Sequence, residues 1–150
     1  MITALLIDDD KHLREGLKAL LERYTNDIHI IGEAESVKTG IVAIEKLQPH
    51  VIFLDIHLSD GTGFDILERL KKTNGKIASH IVFITAHEKY AVKAFKFSAL
   101  DFILKPIDPE ELQVTIAKIK EISSSTKSFE IIDFLSNVLQ QQIDMIKRFC

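Results

Sequence analysis

Four short apolar runs in this chain stop at residues able to do chemistry. ALLI ends in Asp8, Asp9 and Asp10, VIFL in Asp55, HIVFI in Thr85, and DFIL in Lys105. Carboxylates at positions 8, 9 and 55 repel one another unless a cation lies among them. Mg²⁺ suits such hard oxygen donors and keeps several waters when bound. An aspartate can also accept a phosphoryl group and become an aspartyl-phosphate. A lysine ammonium would then neutralise the phosphoryl oxygens, and a threonine hydroxyl would donate to one of them. Each residue alone reads as an ordinary polar group at a strand end. The weight lies in the set, which holds acids, a hydroxyl and an ammonium at four ends.

The set works only if the chain brings those ends together. The apolar runs lie at residues 3–8, 28–34, 51–55, 80–85 and 100–104, and most are near-continuous, as buried parallel strands are. Between them stand helical stripes: Leu13, Leu17, Leu20, Leu21 and Tyr24; Ile41, Ile44 and Leu47; Phe64, Leu67 and Leu70. Ala91, Val92 and Phe95 mark a short fourth helix, and Leu112, Ile116 and Ile119 a fifth. The fifth has Asp108 as N-cap, Pro109 at its first position and Glu111 where a capping-box acid belongs. Strict alternation predicts an α/β fold, a doubly wound five-stranded parallel sheet with helices on both faces. In such a sheet, ligands gather outside the carboxyl ends of the strands, where the residues named above fall.

The domain is expected over residues 1–122, followed by a flexible polar linker, SSSTKS, at 123–128. Residues 129–150 form an extra amphipathic helix, read as an interdomain linker or a dimerisation segment. Its apolar positions follow a three-four spacing through Ile132, Leu135, Leu139, Ile146 and Phe149, interrupted by Gln142. Ile131, Phe134, Val138 and Met145 add an adjacent stripe.

Composition bounds the rest. The 150 residues carry 19 basic and 22 acidic side chains, a formal charge of -3 and a pI of about 6.1, so direct nucleic-acid binding by this chain is not expected. No run reaches the ~18 apolar residues of a membrane span, and the N-terminus lacks a signal-peptide pattern. With Cys150 as the one cysteine, no internal disulfide forms. These features point to a cytoplasmic protein.

The motifs LLIDDD, VIFLDIHLSDGTG, FITAH and FILKPID, in this order and spacing, resemble the receiver domain of two-component response regulators. The resemblance covers residues 1–122 and implies the flavodoxin-like strand order 2-1-3-4-5. It implies that Asp55 is the phosphorylated aspartate and that Asp9 is the main Mg²⁺ ligand, with Asp8 contributing directly or through water. The backbone carbonyl of His57 would complete the protein ligands, its side chain being a spectator. Thr85 takes the place of the switch hydroxyl, Lys105 that of the phosphate-binding lysine, and Phe102 the aromatic switch position. The Lys105–Pro106 bond matches one that is typically cis in receivers. Asp10 is assigned only as a turn residue or helix cap, and His87 as a solvated residue. The run TAHEKYAVKAFKFSALDFILKPID resembles the receivers that precede LytTR-type DNA-binding domains.

The resemblance implies a phospho-accepting switch. A sensor histidine kinase supplies the phosphoryl group, the chain forms a homodimer on phosphorylation, and transcription is controlled through a DNA-binding domain outside these residues. The chain would be no enzyme beyond catalysing its own phosphorylation and dephosphorylation. A degenerate receiver used only for protein contacts is the alternative. A haloacid-dehalogenase-like phosphatase would want an acid at position 57, where histidine stands. A flavodoxin-like cofactor carrier would want a hydroxyl-rich loop where DDDKH stands. One departure from the receiver pattern is Ser59 in place of a proline, which leaves the loop after Asp55 freer to move, with Gly61 and Gly63 keeping its backbone permissive.

Overall fold

The computed structural model describes the backbone of residues 1–149, and the side chains in that range except those of 125–133 and 148–149. In chain order the elements are β1 (Ile2–Ile7), α1 (Lys11–Tyr24), β2 (Ile28–Ala34), α2 (Val37–Leu47), β3 (Val51–Leu54), β4 (His57–Leu58) and β5 (Gly61–Thr62). They continue with α3 (Gly63–Asn74), β6 (His80–Thr85), a 3₁₀ turn (Glu88–Tyr90), α4 (Ala91–Lys96), β7 (Asp101–Leu104) and α5 (Pro109–Phe149). The main sheet has the order β2-β1-β3-β6-β7, every pair parallel. This is the expected flavodoxin-like order; β4 and β5 are a separate two-residue hairpin that periodicity could not reveal.

Period-two alternation sends successive strand residues to opposite faces. Leu5, Ile7, Ile52, Leu54, Ile81 and Phe83 pack beneath α2 and α3, against Ile41, Ile44, Phe64, Leu67 and Leu70. Ala4, Leu6, Phe53, Val82 and Ile84 pack on the other face against Leu17 and Leu21 of α1 and Leu112, Ile116 and Ile119 of α5. Because helices cover both faces, β1, β3 and β6 are apolar almost throughout. The edge strand β2 alternates between buried and open positions, and Ile31 faces outward.

Side-chain caps set where helices begin. Asp10 accepts hydrogen bonds from the His12 and Leu13 N–H groups and is the N-cap of α1. Ser36 with Thr39, and Thr62 with Asp65, form reciprocal capping boxes at α2 and α3. Asp108 accepts from the Glu110 N–H at the start of α5. The Asp60 carboxylate accepts from the Val37 and Lys38 N–H groups at 2.6 and 3.1 Å. These two bonds hold its carboxyl below the usual range and tie the hairpin after Asp55 to the start of α2.

Three expectations need correction. Buried contact in α4 falls on Ala94, while Val92 and Phe95 are 68 % and 69 % exposed. A helix of six residues buries one narrow stripe, and Tyr90 and Phe97 at its two ends fill the space beside it. Leu13, expected in the buried α1 stripe, is 39 % exposed. The stretch 123–128 is helical within a continuous α5. It holds neither Gly nor Pro, and Ser and Thr lower helix propensity by only tenths of a kcal/mol, which does not break a helix already docked upstream.

Gly63 matters for a reason other than backbone freedom. A Cβ there would sit 2.5 Å from the backbone oxygen of Asp55 and 3.0 Å from the Leu54 side chain. Gly61, at φ +153°, is the hairpin position that does need glycine's range.

Core truncation should therefore follow cavity rules. Leu67→Ala, at a fully buried site, is expected to lower unfolding free energy by about 2–5 kcal/mol, read from urea denaturation with an unchanged slope. The two glycines in different surroundings should respond oppositely. Gly16→Ala, on the open face of α1 with nothing within 4 Å, should raise stability by about 0.5–1 kcal/mol. Gly63→Ala should lower the melting temperature, because the methyl group meets the Asp55 carbonyl.

Candidate functional site

The carboxyl edge of the sheet gathers the residues picked out from the sequence. β1 delivers Asp8 and Asp9, β3 delivers Asp55, β6 ends in Thr85, and Lys105 follows β7. Oxygens of Asp8, Asp9 and Asp55 all lie within 4.8 Å of one another. Asp8 and Asp55 are buried, and Asp9 is exposed.

Lys105 bridges the two buried acids. Its Nζ donates to Asp8 Oδ2 at 2.8 Å and to Asp55 Oδ2 at 2.9 Å. Each carboxylate uses its other oxygen on a backbone N–H: Asp8 Oδ1 accepts from Asp10, and Asp55 Oδ1 accepts from Ile56 at 2.7 Å. The Lys105 N–H donates to the Thr85 carbonyl at 2.8 Å, which fixes the ends of β6 and β7 side by side. The Lys105–Pro106 peptide is cis. Arg14 of α1 donates to the Asp8 carbonyl and also pairs with Glu33, so the loop after β1 is held from a neighbouring helix.

Charge is unbalanced here. Three carboxylates face one ammonium, leaving two negative charges. Burial pushes the Asp8 carboxyl above the usual range even though Lys105 and the Asp10 N–H pull it down. For Lys105, burial works against the charged form, but the bonds to Asp8 and Asp55 outweigh it and raise its pKa. The donor set is all oxygen, negatively charged and open on the Asp9 side. It fits a hard divalent cation such as Mg²⁺.

Thr85 is fully buried, and its Oγ1 is the one buried side-chain polar atom without a hydrogen-bond partner among the described residues. An orphaned hydroxyl costs free energy unless another state satisfies it. Phe102 lies partly buried on β7, its ring 6.5 Å from that of Phe83.

The His57 and His87 side chains are exposed, yet they are not independent. Their rings meet edge to face at 4.6 Å, and His57 also contacts Tyr90 at 5.4 Å. The signal was available: His57 and His87 each stand two residues beyond a strand-end site residue. Arg14 and Asp60 were missed because their partners are backbone groups that no local pattern marks. A cleft of about 920 Å³ opens at the opposite edge of the sheet beside Pro49, His50 and Ser79, away from the acids.

Comparison with known proteins agrees with this architecture. The response regulator receiver domain family matches residues 4–117. The sensory transduction protein LytT of Bacillus anthracis is 45% identical over 125 residues, covering 83% of this chain and 50% of its own length. The transcriptional regulatory protein BtsR of Escherichia coli K12 is 39% identical over 121 residues, covering 81% and 49%. A response regulatory protein of Vibrio vulnificus is 37% identical over 146 residues, covering 97% of this chain and 59% of itself. This chain thus spans about half the length of the curated relatives it matches. Among solved structures, the response regulatory domain of mrkE from Klebsiella pneumoniae superposes with a TM-score of 0.74 at 22% identity, covering 83% of this chain and 99% of that one. A LuxR-family two-component response regulator from Aurantimonas gives 0.70 at 26% identity, covering 81% and 86%. The LytT and BtsR names agree with the resemblance to LytTR-type receivers. By sequence, sheet order and the placing of its acids, the chain belongs to the response regulator receiver domain family.

Proposed function

We propose that this receiver is a phospho-accepting switch and that Asp55 is its acceptor. The observation that carries the reading is the Lys105 ammonium shared between Asp8 and Asp55, with the unpartnered Thr85 hydroxyl on the adjacent strand end. The donor is a phosphohistidine of a sensor histidine kinase. A carboxylate oxygen of Asp55 attacks phosphorus in line, the P–N bond breaks, and the imidazole leaves with its electron pair. Asp8, Asp9, Asp55 and the His57 carbonyl are the groups to hold Mg²⁺, which supplies charge neutralisation to the phosphoryl oxygens when bound. Lys105 moves its ammonium from the free carboxylate to a phosphoryl oxygen. The chain catalyses no other reaction than its own phosphorylation and the hydrolysis that reverses it.

The switch follows from the orphaned hydroxyl. A phosphoryl oxygen offers Thr85 Oγ1 the acceptor it lacks, and Phe102 repacks beside it, biasing the face made by α4, β7 and α5. Val92, Phe95, Leu104 and Val114 are exposed on these elements, which favours homodimer formation there. Output is transcription control, carried by a DNA-binding domain in the half of the relatives' length that this chain does not span. The formal charge of -3 favours DNA contact through that domain over contact through this chain. Among the described residues no helix is long and apolar enough to cross a membrane, consistent with a cytoplasmic partner of the kinase.

Incubation with Mg²⁺ and acetyl phosphate, followed by intact mass measurement, tests the reading. Wild type should gain one phosphoryl mass; Asp55→Asn, or wild type with chelator, should not. An unmodified wild-type chain under every Mg²⁺ condition would favour the contact-only receiver.

The raised Asp8 pKa gives a stability prediction with a definite sign. A carboxyl whose folded pKa lies above its unfolded value contributes stability that is full below the unfolded value and is lost as pH rises through the folded one. Ionised Asp8 therefore works against the metal-free fold at neutral pH. Asp8→Asn should raise the metal-free melting temperature at pH 7, with the gain shrinking as the pH falls toward 3.8. The same variant should lose most of the thermal shift that Mg²⁺ gives the wild type.

A further inference from the structure

We propose that residues 131–149 of α5 pair, parallel and in register, with the same segment of a second copy of this chain as a short coiled coil. This deepens the homodimer reading above and rests on it for the identity of the partner. The first part of α5 is docked: Leu112, Ile116 and Ile119 are buried against the sheet. Beyond Ile119 none of the described side chains of α5 is buried, and every one from 134 to 147 is exposed. Leu139 is 59 % and Ile146 64 % exposed. Over residues 134–147 the domain itself does not cover this face.

The spacing identifies what does. Ile132, Leu135, Leu139, Gln142, Ile146 and Phe149 follow one another at alternating intervals of three and four residues. That is the heptad seam of a supercoiled helix pair, which a straight helix of period 3.6 would lose by drifting about 20° per heptad. Ile131, Val138 and Met145 recur every seven residues along one border of the seam and widen it. Ser136 and Ile143 form the other border, so no like charges oppose self-pairing. The polar groups lie outside: Gln140 donates to Asp144 at 3.1 Å on the far face of the helix.

Gln142 decides orientation and partner. A lone carboxamide in an apolar seam costs free energy unless it is hydrogen-bonded. In a parallel, in-register pair it meets its own copy, and the two amides satisfy each other. In an antiparallel pair, or against a purely apolar groove, it faces hydrocarbon. A single polar seam residue of this kind specifies register at some cost in stability. The segment spans roughly 28 Å at 1.5 Å per residue.

Sedimentation equilibrium of the whole chain tests this, with and without acetyl phosphate and Mg²⁺. The phosphorylated wild type should sediment at twice the 17.0 kDa chain mass. Leu139→Glu, at an exposed position that leaves the receiver core intact, should raise the dimer dissociation constant by at least about tenfold, as expected of unpaired buried carboxylates. In a Cys150→Ser background, oxidised Gln142→Cys should cross-link and Asp144→Cys should not. A monomer under both conditions, an assembly larger than two, a dimer indifferent to Leu139→Glu, or equal cross-linking at 142 and 144 would each overturn the pairing. The Asp55 adduct is measured on the same samples. Its absence from a chain whose tail still pairs would sink the phosphoacceptor reading alone, and its presence in an unpaired chain would sink the coiled coil alone.

Discussion

Two buried carboxylates sharing one ammonium are the constraint around which this receiver is built. The Lys105 Nζ reaches Asp8 and Asp55 at nearly equal distances. Placing charges at the edge of a low-dielectric sheet is costly, and mutual attraction offsets that cost only when geometry and further hydrogen bonds are good. Here each carboxylate also receives a backbone N–H, yet burial still raises the Asp8 carboxyl. The site is thus held together and left electrostatically incomplete. An incomplete site of this kind favours added positive charge.

The rest of the fold serves that edge. Parallel pairing puts the ends of β1, β3, β6 and β7 in one line, so residues 97 positions apart in sequence meet at hydrogen-bond distance. The loops are then fixed from outside. Asp10 caps α1, Arg14 holds the Asp8 carbonyl, Asp60 binds the start of α2, and Gly63 lets α3 approach the Asp55 peptide. The groups the site leaves unsatisfied are as informative as those it pairs. A fully buried Thr85 hydroxyl without a partner is a small store of unfavourable free energy.

Much of this was legible in the sequence, because apolar runs between helical stripes specify a buried parallel sheet and polar strand ends mark its ligand edge. Strand limits at 28–34 and 80–85 coincide with the structure, as do the buried stripes of α3 and of docked α5. Elsewhere the local pattern was too short or the partner too distant. Phe95 has the character of a core residue, as aromatic side chains usually do, but a two-turn helix has Ala94 for its single buried contact. The segment 123–128 has the composition of a linker, although nothing in it ends a helix. The Asp60 cap and the His57–His87 contact join residues more than 20 positions apart, and no periodicity encodes them.

The proposed switch requires that the acids at the ends of β1 and β3 form one cation site in competition with Lys105. Calorimetric titration of the whole chain with Mg²⁺ tests it most directly, comparing wild type with Asp9→Asn and Lys105→Met. One saturable site in wild type, weakened by Asp9→Asn and tightened by Lys105→Met, is the predicted pattern, since the methionine removes the competing ammonium. Absence of saturable binding in wild type, or binding indifferent to both substitutions, would rule out a cation site at these acids.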